Sequence, residues 1–192
     1  TCSATSEESG TSHFVAVDAK GNVASETSTI ESPFGSGLMV NGYYLNNELT
    51  DFNLAPERNG CLIANRVEGG KRPRSSMSPT IVWDRDGKIR LAIGAAGGAT
   101  IPAQVVKAII GVIDWHLTAQ QAIALPVIFA PGGDTIYVEQ GTYLEGMIPQ
   151  LEGLGHKVKA RGASFKANAV EWVQGRWVGA ADPRSEGAAV SQ

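Results

Sequence analysis

The chain has 192 residues, 43% of them hydrophobic, which is enough for one sizeable core and makes one domain or one subunit the natural count. Its formal net charge is -3 and no basic stripe appears; Lys71-Arg72-Pro73-Arg74 is too short to indicate a nucleic-acid partner. Cys2 and Cys61 lack metal-ligand spacing and are expected to be two free thiols, and no apolar run is long enough for a membrane span.

In chain order, residues 1–10 are small, polar and aperiodic. They read as a flexible segment, either an ordinary frayed end or the tail of an upstream segment awaiting removal. Thr11-Ser12-His13 opens the most informative stretch. Strands are predicted over 13–18 and 23–30 around a turn at 19–22, which places a Thr hydroxyl at the mouth of a β-hairpin. Asn46-Asn47-Glu48-Leu49-Thr50-Asp51 reads as a polar loop or short turn, and Ser75-Ser76 as a loop before a strand. A second hairpin is predicted from 80–84 and 88–93 about Arg85-Asp86-Gly87, and a third from 169–173 and 177–180 about Gln174-Gly175-Arg176.

The helical signal lies between these hairpins. Pro102 suits a first helical turn, and a helix over 104–116 would carry Val105, Ile109, Val112 and Ile113 on one face. Val106 and Ile110 widen that face, so burial on more than one side is expected. Thr118-Ala119-Gln120-Gln121 fits a capping box opening a short helix to Leu125, before Pro126. A third helix over 142–154 is put in doubt, or kinked, by Pro149. Helices bracketing hairpin-rich sheet imply a layered α+β architecture.

Several familiar sites are absent from the sequence. There is no G-x-S-x-G elbow and no phosphate-binding loop before Lys71, and Gly94-Ala95-Ala96-Gly97-Gly98 is not a dinucleotide fingerprint. His13, His116 and His156 lack metal-motif spacing. The remaining chemistry centres on Thr11. A Thr hydroxyl is a poor nucleophile without a base, and one base available to it is its own α-amino group, freed by a cut immediately before it. On this reading residues 11–192 form the catalytic part of a self-cleaving amidase; a strand-initiating Thr is the plainer reading of the same residue. Thr29 lies on the paired strand, where cross-strand packing would bring its hydroxyl toward Thr11. Glu48 and Asp51, three apart, would recognise an α-ammonium group if they converge, and are otherwise a solvated loop. Gly97-Gly98 lets backbone N–H groups approach a reacting carbonyl without an intervening Cβ; a Gly-rich turn into the Pro102 helix fits both readings.

The motifs together carry a resemblance. Thr11-Ser12-His13, Gly21-Asn22, Thr27-x-Thr29-Ile30, Phe34-Gly35, the block from Leu45 to Phe52, Arg72-Pro73-Arg74-Ser75-Ser76-Met77-Ser78-Pro79-Thr80, the block from Gly94 to Ile101 and Asp182-Pro183-Arg184-x-x-Gly187 occur in one order. They resemble the γ-glutamyltranspeptidase family of the N-terminal nucleophile hydrolases, over essentially everything from Thr11 onward. The resemblance implies an α+β fold, the αββα sandwich of two mainly antiparallel sheets between helix layers, of which this chain forms part. It implies that Thr11 is the nucleophile, that Thr29 helps activate it, and that Gly97 and Gly98 hold the oxyanion. It further implies that Glu48 and Asp51 bind the substrate α-ammonium and Ser75 and Ser76 its α-carboxylate.

Two positions depart from the family pattern. Val15 stands where Ser or Thr is frequent, a packing variation. Glu31 stands where Asn is common and would add a carboxylate beside the substrate amine and the nucleophile, altering acyl-donor preference. The activity implied is γ-glutamyl transfer or hydrolysis from glutathione and similar amides, with no cofactor and no metal. Water, an amino acid or a dipeptide would be the acceptor. The partner implied is a large subunit from the same precursor, completing a heterodimer, with residues 1–10 as its tail and the mature protein periplasmic or extracellular. Two alternatives stand beside it: a related acylase acting on glutaryl or poly-γ-glutamyl amides, and an unprocessed, non-catalytic binding relative.

Overall fold

A computed structural model describes residues 10–162 and 165–190. Of the expected 1–10 tail only Gly10 falls within that range, and Cys2 lies outside it; Cys61 is an exposed free thiol.

Strands β1 (Ser12–Val17) and β2 (Val23–Ser28) form the first hairpin, antiparallel from Ser12 opposite Ser28 to Val17 opposite Val23. Asp18, predicted as strand, belongs to the turn. Its carboxylate accepts the N–H groups of Lys20 (2.8 Å) and Asn22 (2.9 Å) and the Asn22 side-chain amide (2.7 Å). An Asp that takes backbone donors for itself ends the ladder one residue early. Two short ribbons follow, β3 (Met39–Val40) with β4 (Tyr43–Tyr44) and β5 (Glu57–Arg58) with β6 (Cys61–Leu62). A 3-10 turn at Glu48–Asp51 lies between them.

The predicted second hairpin is β7 (Thr80–Trp83) and β8 (Ile89–Ala96). Helices α1 (Ile101–Ile113) and α2 (Ala119–Ala124) come next, then β9 (Ile128–Phe129), β10 (Thr135–Glu139), α3 (Ile148–Gly153) and β11 (Lys157–Arg161). The third predicted hairpin closes the chain as β12 (Lys166–Val173) and β13 (Arg176–Ala181). Strands β13, β12, β8 and β7 form one antiparallel sheet in that order. The sheet of β11, β10 and β9, with β10 and β11 parallel, was not anticipated from the sequence.

The helices differ from expectation in instructive ways. The α2 capping box is formed as predicted, Thr118 Oγ1 accepting the Gln121 N–H at 3.2 Å and Gln121 Oε1 accepting the Thr118 N–H at 3.0 Å. Helix α1 begins and ends about three residues earlier than predicted, and His116, with φ of 56°, lies in the turn beyond it. It buries one face only; Val106, Ile110 and Ile113 stay exposed, so burial on several sides is not realised among the described residues. Pro149 neither kinks nor ends a helix. A 3-10 turn (Tyr143–Met147) leads into α3 with Pro149 in its first turn, where a missing N–H costs no hydrogen bond.

β8 is the centre of the molecule, buried from Leu91 to Ala96. Leu91, Ile93 and Ala95 join Ile101, Val105 and Ile123 of the helices in the main core. The intervening Ala92, Gly94 and Ala96 face the β1–β2 hairpin, which packs on β8 and β12. Helices, four-stranded sheet and hairpin thus make three successive layers. Small residues on one face of β8 let the two sheets approach closely. At Gly94 the approach is tightest, because a Cβ there would overlap the His13 imidazole. At the far end Arg184 bridges Asp182 (Nε to Oδ1, 2.7 Å) and Glu139 (Nη1 to Oε2, 2.7 Å), joining the β13 end to β10.

Gly94→Ala drives a methyl group into that imidazole. Overpacking of this kind costs about 1–3 kcal/mol, so the urea midpoint should fall clearly; an unchanged midpoint contradicts the packing described.

Candidate active site

Thr11 immediately precedes β1. One further step of the β1–β2 register sets it opposite Thr29, and strand alternation puts it on the His13 face. Both residues are buried, Thr11 4% and His13 6% exposed. Thr11 Oγ1 has no hydrogen-bond partner among the described residues. Thr29, one residue past β2, accepts the N–H of Glu31 on its Oγ1 at 2.8 Å, and the bond to Thr11 that the resemblance implied is not made.

His13, part of the Thr11-Ser12-His13 motif but given no role of its own from the sequence, is held on three sides. Its Nδ1 lies 2.8 Å from Thr27 Oγ1, its ring covers Gly94, and its carbonyl accepts Asn168 Nδ2 at 3.0 Å. Burial pushes its pKa down to about 4, a backbone interaction with Glu26 opposing weakly, so the ring is neutral near pH 7. Among the described residues, His13 Nε2 and Asn168 Oδ1 are buried without a partner, like Thr11 Oγ1.

After Thr29 the chain turns sharply at Glu31, whose φ of 72° is unusual for a residue with a side chain. The Thr29 hydroxyl, accepting the Glu31 N–H, holds that turn. The bend lays the Glu31 carbonyl against Gly10; a Cβ on residue 10 would stand 2.6 Å from that oxygen, so only glycine fits. The Gly10–Thr11 bond therefore lies beside Glu31.

Glu31 is buried, and its carboxylate converges with those of Glu48 and Asp51, one oxygen from each lying within 4.8 Å of the others. Asn47 brings them together. Its N–H donates to the Ile30 carbonyl (3.3 Å), its Oδ1 accepts the Ser32 N–H (3.0 Å), and its Nδ2 donates to Ser32 Oγ and Thr50 Oγ1 (both 3.1 Å). Asn65 supports the other side, donating to the Asp51 carbonyl at 2.6 Å and accepting the Arg74 N–H at 3.0 Å. Desolvation raises the pKa of Glu48, and the Asp51 charge adds to it; desolvation also raises Asp51, with Arg74 opposing. Three carboxylates so placed attract a cation. An ammonium group suits them, whereas calcium would require about six to eight oxygens.

Gly97 and Gly98 stand where β8 runs into α1, with φ of 125° and 57°. Gly97 is half-buried and Gly98 buried. The Gly97 carbonyl accepts both the N–H (3.2 Å) and the hydroxyl (2.8 Å) of Thr100. Ser75 and Ser76 lie in the unpaired segment before β7. Ser75 Oγ accepts the Met77 N–H at 3.2 Å, and the Ser76 carbonyl accepts Ser78 Oγ at 2.9 Å. These bonds tie both serines to their own loop.

The sequence model of the Gamma-glutamyltranspeptidase family matches residues 1–192. The chain belongs to this family. It is 37% identical over 188 residues to the glutathione hydrolase proenzyme of Bacillus subtilis strain 168, covering 95% of this chain and 31% of that one. It spans about a third of the length of this relative and of the glutathione hydrolase proenzymes of Pseudomonas aeruginosa and Escherichia coli. Its fold matches the γ-glutamyltranspeptidase of Pseudomonas nitroreducens complexed with L-DON, with a TM-score of 0.80 and 33% identity over 94% of this chain and 98% of that one. An acivicin-inhibited γ-glutamyltranspeptidase, whose C-terminus has critical roles in autoprocessing and catalysis, gives a TM-score of 0.81 at 31% identity, covering 91% of this chain and 98% of that one. The fold is that of the N-terminal nucleophile hydrolases.

His13 generates a pH dependence. With a pKa of about 4 folded against 6.5 ordinarily, the unfolded chain binds the extra proton between these values. Its contribution to stability is complete above about pH 6.5 and is lost as pH falls toward about 4. Melting temperature should decline over that window, and less steeply in His13→Gln; parallel profiles for the two proteins contradict the assignment.

Proposed function

We propose that this chain is the nucleophile-bearing part of an enzyme that transfers γ-glutamyl groups from glutathione and other γ-glutamyl amides to water or an amine. It acts after cleaving its own chain between Gly10 and Thr11. The observation that carries this reading is the convergence of Glu31, Glu48 and Asp51 on a point whose backbone also packs against Gly10. A cation-attracting cluster beside a threonine nucleophile suits an acyl donor with an α-ammonium group near its scissile amide.

In the first stage Thr11 Oγ1 attacks the Gly10 carbonyl, the amide shifts to an ester, and water opens it. Glycine offers that attack little hindrance. The product has a free Thr11 amine, whose ordinary pKa near 8 suits proton transfer at neutral pH. Chain still continuous through Gly10-Thr11 is the inactive precursor, its amine locked in a peptide bond. In the second stage Thr11 attacks the γ-carbonyl of the donor. The Gly97 and Gly98 N–H groups receive the oxyanion, where one such donor is worth about 3 kcal/mol. Glu31, Glu48 and Asp51 hold the ammonium, and Ser75 and Ser76 the α-carboxylate. The amine leaves with a proton relayed through the Thr11 amine, and water or an acceptor amine resolves the γ-glutamyl ester.

The rest of the pocket comes from a large subunit cut from the same precursor. Phe34, Leu38, Tyr43, Leu49, Leu54 and Leu62 are all exposed between β2 and β7, an apolar surface suited to such a partner. By the family reading the mature enzyme is periplasmic or extracellular; no helix among the described residues is long and apolar enough to cross a membrane.

Two measurements test the reading on the full precursor. Thr11→Ala should remain uncut by intact mass and lose turnover by roughly a thousandfold or more; normal maturation with γ-glutamyl hydrolysis intact rejects Thr11 as nucleophile. The processed enzyme should prefer a γ-glutamyl anilide over the glutaryl anilide, which lacks the ammonium, by roughly ten- to a hundredfold, the worth of one charge-assisted contact. Equal rates or a glutaryl preference would point to the acylase alternative.

A further inference from the structure

Resting on the assignment of Gly97 and Gly98 as oxyanion donors, we propose that Gln104 and Thr100 are positioning residues that set the direction of both donor N–H groups. The argument begins with the planar trans peptide, in which the N–H points opposite the carbonyl of the preceding residue. The Gly97 N–H is therefore aimed by the Ala96 carbonyl, and the Gly98 N–H by the Gly97 carbonyl. Glycines at φ of 125° and 57° restrain these planes little by themselves. From the backbone, the Thr100 N–H holds the Gly97 carbonyl at 3.2 Å, and side chains supply the rest of the hold on the two carbonyls.

Gln104 does so from the first turns of α1. Helical side chains lean toward the N-terminus, which carries this one back over Thr100 to the end of β8. Its Nε2 donates to the Ala96 carbonyl at 2.9 Å and to Thr100 Oγ1 at 3.0 Å, and the Thr100 hydroxyl passes the chain on to the Gly97 carbonyl at 2.8 Å. Gln104 Oε1 accepts the Lys166 N–H at 3.2 Å, so the amide bridges Ala96 and Lys166, the facing pair at the end of the β8–β12 ladder. Both amide hydrogens and the amide oxygen are engaged, which fixes the orientation of the group. A polar side chain only 2% exposed thus connects the two carbonyls behind the two donors.

The test uses the processed enzyme made from the full precursor, with γ-glutamyl-p-nitroanilide as donor. Gln104→Leu should lower kcat at least tenfold with KM within about threefold. Affinity for a boronate analogue of glutamate, which forms a tetrahedral adduct on Thr11, should fall by a similar factor. Product glutamate should bind as before. Because Gln104→Leu also strips partners from Ala96 and Lys166 and can fail to fold, Thr100→Val is measured alongside. It should lose kcat in the same sense, and Thr100→Ser, which keeps the hydroxyl, should recover most of the loss. Wild-type kcat in folded Gln104→Leu, or in Thr100→Val where the first does not fold, overturns the inference. So does an equal loss of glutamate and boronate affinity. A wild-type enzyme without turnover of the anilide rejects the function reading itself, and this inference with it.

Discussion

The close contact between the β1–β2 hairpin and the face of β8 is the constraint on which the rest depends. It exists because β8 alternates Leu91, Ile93 and Ala95 toward the helices with Ala92, Gly94 and Ala96 toward the hairpin. Only hydrogen at residue 94 leaves room for the His13 ring, and that ring, two residues from Thr11, carries the inward face of β1 down onto the sheet. The cost is polar. Thr11 Oγ1, His13 Nε2 and Asn168 Oδ1 are buried here without partners among the described residues, each worth about 1–3 kcal/mol of lost hydrogen bonding. A sheet interface built for stability alone would place apolar atoms at those three points. On the proposed function, the unpartnered Thr11 hydroxyl is left available to a base, which is what its activation needs.

The second organising feature is electrostatic. Carboxylate oxygens within 4.8 Å of one another repel by roughly 1–4 kcal/mol per pair, depending on how much solvent screens them. Desolvation is the larger cause of the raised pKa of Glu48, the Asp51 charge adding to it, and at Asp51 desolvation raises the pKa while the Arg74 charge opposes it. A single ammonium set among them turns the balance, because it adds three attractions at distances no longer than the repulsions. On the proposed function, donor binding would offset this repulsion, and Glu31 would add a third attraction for the ammonium. Asn47 and Asn65 make the arrangement geometrically possible, binding backbone that the like charges would otherwise push apart.

The parts of this arrangement differed in how far they could be read from sequence. The three hairpins and the α2 capping box were legible because each is local. A turn with Asp and Gly, or a Thr with Gln three residues on, carries its own geometry. The blocks that contain Thr11, Glu48, Asp51, Gly97 and Gly98 were legible as family motifs. The mixed sheet of β9, β10 and β11 was not, because β10 pairs in parallel with a strand beyond α3 and no turn marks that partnership. Pro149 misled because one residue serves both to break a helix and to start one. Among the site residues, Asn47, Asn65, His13 and Gln104 were missed as contributors for a common reason. Each acts through a partner distant in the fold or through the backbone, and nothing in the identity of an Asn, His or Gln announces which carbonyl it will hold.

The location of the proposed cut also follows from the ladder. Pairing between β1 and β2 begins at Ser12 opposite Ser28, so the Gly10–Thr11 bond lies just outside the hydrogen-bonded hairpin. Breaking it removes no strand pair, and the new terminus stays anchored by His13 on Gly94 and by the Asn168 bond to the His13 carbonyl. What the cut releases is the contact of Gly10 with the Glu31 carbonyl, which frees space beside the carboxylate cluster. On the proposed function, a single hydrolysis would then have two consequences from one geometry: it would supply an amine to serve as base and would remove the Gly10 contact with the Glu31 carbonyl. Had the scissile bond been one or two residues further along, the same cut would have severed the hairpin that holds the nucleophile in place.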